Sequence, residues 1–124
     1  MMAPGTPQIT ATDIATQVDT FYRRVQDDPL LGPVFAARIA SDAWPAHLTR
    51  MRDFWSTILL GSGRYTGNPL LVHRGIPALE RGHFRRWLEL FEQVARERFA
   101  APIAATWIDR AQRMGRTLQA DLPG

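Results

Sequence analysis

Apolar side chains recur at every third or fourth position along most of this chain, which is the spacing of a helix with one buried face. In the stretch 13–27 they are Ile14, Val18, Phe21, Tyr22 and Val25. No stretch alternates apolar and polar residues as a half-buried strand would. With 124 residues, the chain is long enough for one domain with a core but too short for two. The pattern therefore predicts an all-α single domain.

Local stop and start signals predict the first helices. Thr12 is the predicted N-cap of a helix that ends at Asp27-Asp28-Pro29, because proline restrains the residue before it and cannot continue a helix. Residues 33–37 predict a short second helix or a turn. Residues 1–11 are predicted to form a flexible N-terminal tail, and residues 12–124 the domain.

Further start signals predict three more helices. Pro45 suits the first turn of the third helix, with Ser41 or Asp42 nearby as its cap. A fourth helix is expected from about Gly82, and Pro102 is expected to open the last. Four substantial helices, joined by short and partly irregular segments, are therefore predicted.

The absence of cysteine excludes several kinds of site. The chain can form no disulfide, no thiolate nucleophile and no cysteine metal site, and it cannot attach haem covalently. It also lacks a glycine-rich phosphate loop and a His-Glu-x-x-His zinc pair. Any haem would have to be held without a covalent bond, by His, Met or Tyr.

The charge pattern argues against a nucleic-acid site, although the formal net charge is +3. All basic residues are Arg, and they are interleaved with acids rather than gathered into a dense run. Most are interpreted as solvated helix faces. No apolar run approaches the roughly 20 residues of a membrane span, and no secretory signal is visible. A cytoplasmic protein without a membrane partner is the expectation.

The segment Gly67–Pro77 is the strongest functional signal, because it places His73 beside an apolar triplet between two prolines. A neutral imidazole held there could give one nitrogen to iron and donate from the other to a backbone carbonyl. A lone histidine near a loop can also be an ordinary surface group. A second histidine, His47, borders the inward face of the third helix, so two imidazoles could meet a planar metal cofactor.

Tyr22 and Trp87 have two interpretations. Both can be core aromatics, but a buried phenol O–H and a buried indole N–H also need partners. Dioxygen held on iron carries partial negative charge on its outer oxygen, which two such donors would stabilise. His47 could gate access to that ligand or be a helix-edge histidine satisfied by water. His83 is interpreted as a helix-start residue without a functional role.

In their order and spacing, these residues resemble the third group of the truncated haemoglobins over about residues 12–114. The other two groups typically carry Gly-Gly pairs at helix ends, and this chain has none. The matching pieces are Phe21-Tyr22, 28–35, His47, Phe54-Trp55, Leu60-Gly61, 65–69, 73–77 and 83–91.

The resemblance implies a shortened globin fold, two helices packed over two, that encloses haem b. It implies that His73 is the metal ligand, on the proximal side of the haem iron. It also implies that Tyr22 and Trp87 are the distal hydrogen-bond donors and that His47 is the distal histidine. Phe35 would pack on the haem and Arg50 would pair with a propionate. The implied cofactor-binding set is His73, Phe35, Met51, Phe54, Trp55 and Arg50, to which we add Arg74 because it adjoins His73.

The resemblance further implies binding of dioxygen, carbon monoxide or nitric oxide at a His-ligated iron. A cage of donors predicts slow dioxygen release, which favours redox or nitric oxide chemistry over bulk oxygen transport. Dioxygenase or peroxidase-like activity would need an external reductant, such as an unidentified reductase, and no catalytic residue is assigned. The alternative is a cofactor-free all-α interaction module with an Arg-rich surface.

Overall fold

Helices make up most of the computed structural model, which describes residues 9–69, 73, 76, 79–120 and 122. Over these residues there is no strand, and the prediction of an all-α fold is confirmed. The division into a tail of residues 1–11 and a domain of residues 12–124 stays a prediction. The helices are α1 (Ala11–Asp27), α2 (Leu31–Arg38), α3 (Trp44–Leu60), α4 (Arg81–Arg98) and α5 (Ala101–Gln119).

Two predicted caps were wrong. Helix α1 is capped by Thr10 rather than Thr12: the Thr10 hydroxyl accepts from the Asp13 N–H at 3.1 Å, and the Asp13 carboxylate accepts from the Thr10 N–H at 3.0 Å. This reciprocal pair satisfies two N–H groups at once. Helix α3 has no side-chain cap, because residues 41–43 form a 3-10 turn that runs directly into Trp44.

The core lies where α1, α3, α4 and α5 meet. Helix α4 packs against both α1 and α5, and α1 also packs against α3. Phe91 of α4 is fully buried, with Phe21 of α1, Trp55 of α3 and Trp107 of α5 at ring-centroid distances of 5.2, 5.1 and 5.8 Å. Aromatic rings at these separations gain attraction beyond the burial of their surface.

The corner between α1 and α2 is unusually tight. Pro29 holds Asp28 in an extended conformation, which ends α1, and the Gly32 N–H donates to the Asp28 carbonyl at 2.8 Å. A Cβ atom on Gly32 would lie 2.8 Å from the Gln26 carbonyl oxygen, a distance that real Cβ contacts do not show. Helix α2 therefore packs directly on the end of α1. With bounds of Leu31–Arg38, it is longer than the predicted segment 33–37.

Within the described residues, no helix has the length and apolar character needed to cross a membrane. The longest two, α4 and α5, have 18 and 19 residues and carry several arginines each. The cytoplasmic location stays a prediction.

We expect Gly32→Ala to destabilise the protein by about 1–3 kcal/mol, the usual cost of forcing an extra methyl group into a packed site. Gly82→Ala is the matched control, since a Cβ on that helical glycine meets nothing within 4 Å. The control should stabilise by about 0.4–1 kcal/mol, because alanine restricts the unfolded chain. Urea unfolding would measure both, and equal effects of the two substitutions would contradict the tight corner.

Candidate functional site

A cavity of about 600 Å³ opens among all five helices and the segment after α3. Its volume lies within the range of about 300–1,000 Å³ that is typical of pockets for small molecules and cofactors. Of the predicted residues, Arg74 lies outside the described part of the chain. All the others line the cavity: His73, Phe35, Met51, Phe54, Trp55, Arg50, Tyr22, Trp87 and His47.

The ring of His73 is oriented by a hydrogen bond to the backbone of a nearby residue, Pro69. Its Nδ1 lies 2.6 Å from the carbonyl oxygen of Pro69, four residues earlier. A carbonyl can only accept, so Nδ1 carries the hydrogen, and Nε2 of the neutral ring keeps a free lone pair. The ring lies 5.6 Å from that of Phe84. This arrangement, in which one nitrogen is anchored and the other is free, is the one that metal-binding histidines use.

His73 does not belong to a cluster of metal-ligating side chains in the described part of the chain. Over the described ranges, no three His, Cys, Asp or Glu side chains lie close enough together to hold a metal ion. His73 shares the cavity with His47 and His83, and most of the other lining side chains are apolar. The apolar triplet beside His73, residues 70–72, falls outside the described residues.

Tyr22 is a protonated donor inside the cavity. Its side chain is buried, and burial raises the pKa of the phenol more than a hydrogen-bonding interaction with the Trp87 side chain lowers it. The pKa therefore lies well above the ordinary value of 10.0. Trp87 stacks on Phe91 at 5.1 Å and meets Phe21 edge-on at 5.3 Å, so its orientation is fixed by the core.

His47 turns a ring nitrogen inward. Its Nε2 is buried and has no hydrogen-bond partner among the described residues. The ring meets Tyr22 edge-on at 5.0 Å and Trp44 at 5.3 Å. Burial, followed by the positive charge of Arg50, lowers the pKa of His47 from 6.5 to about 4. Leaving a buried polar atom unpaired costs about 1–3 kcal/mol, so this nitrogen is suited to meet a ligand or a water molecule.

The rim of the cavity contains two arginines that the sequence interpretation treated as solvated charges. Arg38 at the end of α2 and Arg64 in the segment after α3 line the cavity together with Arg50. None of these three guanidinium groups forms an ion pair within the described part of the chain. Arg38 follows Phe35 by three residues, which is about one helical turn. That spacing could have indicated that Arg38 lies on the same face of the helix as Phe35. No comparable signal marks Arg64.

His83 also lines the cavity, in the first turn of α4. Its Nδ1 accepts from the Glu80 N–H at 3.0 Å. The Glu80 side chain in return accepts from the His83 backbone. The interpretation of His83 as a helix-start residue is therefore confirmed.

Comparisons with known proteins agree on one relationship. The chain is 37% identical over 87 residues, 68% of its own length and 68% of the relative's, to group 3 truncated hemoglobin ctb of Campylobacter jejuni. Its fold matches the crystal structure of group III truncated hemoglobin from Campylobacter jejuni with a TM-score of 0.88. That match has 31% sequence identity and covers 98% of this chain and 96% of the other. No family model matches the chain.

We expect the stability of the protein to fall as the pH is lowered from 6.5 towards 4, partly through His47. In this range the unfolded chain takes up a proton at His47, whereas the folded state, with its pKa of about 4, does not. His47→Leu should flatten this part of the curve of urea midpoint against pH. His83→Gln controls for the removal of a histidine, and a His47→Leu slope equal to that of the control would contradict the prediction.

Proposed function

Because this chain belongs to the group III truncated haemoglobins, we propose that it binds haem b in the cavity and holds a diatomic ligand on the haem iron. The chain is a haem-binding globin by family; the type of haem and its axial ligand are the proposal. The observation that carries it is the His73–Pro69 hydrogen bond, which leaves Nε2 free within the cavity to ligate iron.

The cavity residues fit the two chemical parts of a haem. Phe35, Met51, Phe54 and Trp55 offer the apolar surface that a porphyrin ring needs, with Phe35 packing on the ring. Arg50, assisted by Arg38 and Arg64 on the same rim, would pair with the propionates. We keep Arg74 in the proposed set on the strength of its adjacency to His73. Without cysteine, the haem would be held non-covalently.

Tyr22, Trp87 and His47 would surround the bound ligand. Haem would supply an iron to which dioxygen, carbon monoxide or nitric oxide can bind, and these three side chains would face a dioxygen ligand that carries partial negative charge. The Tyr22 phenol keeps its proton at all physiological pH values and can donate to that charge. The Trp87 indole is donor-only. The neutral His47 ring brings a third polar group without adding a charge.

This cage favours retention of the ligand over its delivery. A ligand held by two donors leaves slowly, so we propose redox or nitric oxide chemistry, of dioxygenase or peroxidase-like type, rather than bulk oxygen transport. Such a reaction needs electrons from a separate reductase. The cofactor-free interaction module has no observation in its favour, since the described part of the chain surrounds a cavity that such a module would not need.

Addition of haem should give a sharp Soret band that shifts on reduction with dithionite and again with carbon monoxide. His73→Ala should lose most of this band, because it removes the proposed iron ligand, and added imidazole should restore it. His83→Gln is the control, since His83 also lines the cavity but serves as a helix cap. A normal, imidazole-independent spectrum of His73→Ala would reassign the iron ligand, and wild-type protein without a Soret band would contradict haem binding.

Tyr22→Phe should speed dioxygen dissociation roughly 10- to 150-fold, because a hydrogen bond to a charged partner contributes about 1.5–3 kcal/mol. Trp87→Phe should act in the same direction. Tyr65→Phe is the matched control, since Tyr65 lines the cavity from the segment after α3. Stopped-flow rates that are unchanged in both Tyr22→Phe and Trp87→Phe would exclude the cage.

A further inference from the structure

Asp28 is a buried carboxylate, although its sequence position next to Pro29 indicated only the end of a helix. Its side chain is 2% exposed. One oxygen, Oδ2, accepts from the N–H groups of Leu30 and Leu31 at 3.1 and 2.9 Å. The other, Oδ1, accepts from Nε of Arg86 at 2.8 Å. These donors hold the pKa of Asp28 below its ordinary value of 3.8, although burial raises it. The carboxylate is therefore charged and fully engaged.

This one side chain joins three helices. Asp28 is the residue at which α1 ends. Its Oδ2 satisfies the first N–H groups of α2, where the N-cap position is a leucine that has no side-chain acceptor. Arg86 belongs to α4. Each of the three helices also contributes a side chain to the proposed site: Tyr22 from α1 and Trp87 from α4 beside the ligand, and Phe35 from α2 against the porphyrin ring.

Helix α2 depends on this junction because it has little core of its own. It has only eight residues, and of these only Leu31 and Gly32 are buried. Phe35 is half-buried and reaches Tyr22 across a ring-centroid distance of 5.9 Å. A helix with so little buried surface is held less by hydrophobic packing than by the groups at its end. Removal of Arg86 would leave the carboxylate of Asp28, which is 2% exposed, without its charged partner, and we therefore expect a change in the position of α2.

We propose that the Asp28–Arg86 ion pair is a positioning element for the ligand-binding side of the cavity. It fixes α2 against α1 and α4, and so sets the contact of Phe35 with Tyr22 and the separation of this pair from Trp87. Neither Asp28 nor Arg86 lines the cavity. Their effect on a bound ligand is transmitted through the three helices. The proposal rests on the proposed function, because it concerns the residues that surround the ligand.

The test compares Arg86→Gln, Asp28→Asn and the double variant, each loaded with haem. Asparagine keeps an oxygen for the Leu30 and Leu31 N–H groups, so Asp28→Asn removes the charge but not the cap. Arg24→Gln is the matched control, because Arg24 pairs with Glu97 and also joins α1 to α4, but it does not touch α2. The readouts are the C–O stretching frequency of the carbon monoxide complex, the dioxygen dissociation rate and the urea midpoint.

We expect both single variants to shift or broaden the C–O band and to change dioxygen dissociation roughly 2- to 30-fold, the range for a coupled residue that does not touch the ligand. The double variant should match a single one, because both changes break the same pair. Arg86→Lys keeps the charge but not the Nε hydrogen bond. Its C–O band and dioxygen dissociation rate should therefore lie between those of the wild type and those of Arg86→Gln. Arg24→Gln should leave the C–O band unchanged.

The proposal is overturned if the variants lower the urea midpoint but keep the wild-type C–O band and dissociation rate, since that is the outcome of a purely structural ion pair. If Asp28→Asn does not fold, Arg86→Gln still decides the question, because the Arg86 side chain is 35% exposed and its loss leaves both caps in place. A wild-type protein without a Soret band would instead reject the proposed function, so the two failures are distinguishable.

Discussion

The ring of Phe91 is the point on which the rest of the molecule depends. It is fully buried, and aromatic side chains from the other three long helices contact it, together with Trp87 from its own helix. Gln17 of α1 donates to its backbone carbonyl at 3.1 Å, so the same residue also anchors a buried polar group. Trp55 and Trp87 each pack against Phe91 and also line the cavity. The core and the cavity therefore share a wall, and the geometry of one sets the geometry of the other.

The chemistry of the site follows from burial rather than from charge. Burial keeps the phenol of Tyr22 protonated and the imidazole of His47 neutral, so neither residue brings a formal charge into the cavity. His73 obtains its orientation from a backbone carbonyl rather than from a carboxylate. Charged groups stand at the rim instead, where Arg38, Arg50 and Arg64 remain in contact with water. This separation of an apolar interior from a cationic rim suits a flat apolar molecule with acidic substituents at one edge.

Much of the fold and most of the site could be predicted from the sequence, because both rest on local signals. The periodicity of apolar residues predicted the helices. The resemblance named residues that line one cavity in the structure, although their roles stay proposals. The Asp28–Arg86 pair could not be predicted in this way, since 58 residues separate its partners and only the packed helices bring them together. Thr10 was missed as a cap because Thr12 offers the same local signal, and only the reciprocal bond to Asp13 distinguishes them.

The shared wall between core and cavity has a consequence for how much of this protein a cell can maintain. The cavity of about 600 Å³ is lined largely by apolar side chains, and Trp55 and Trp87 belong both to this lining and to the packing around the core. A cofactor that fills this space binds the folded state and not the unfolded one, so it raises stability by mass action. Under the proposed function, newly made chains would be exposed to proteolysis until haem reaches them. The abundance of the protein would then depend on the supply of haem as well as on the expression of its gene.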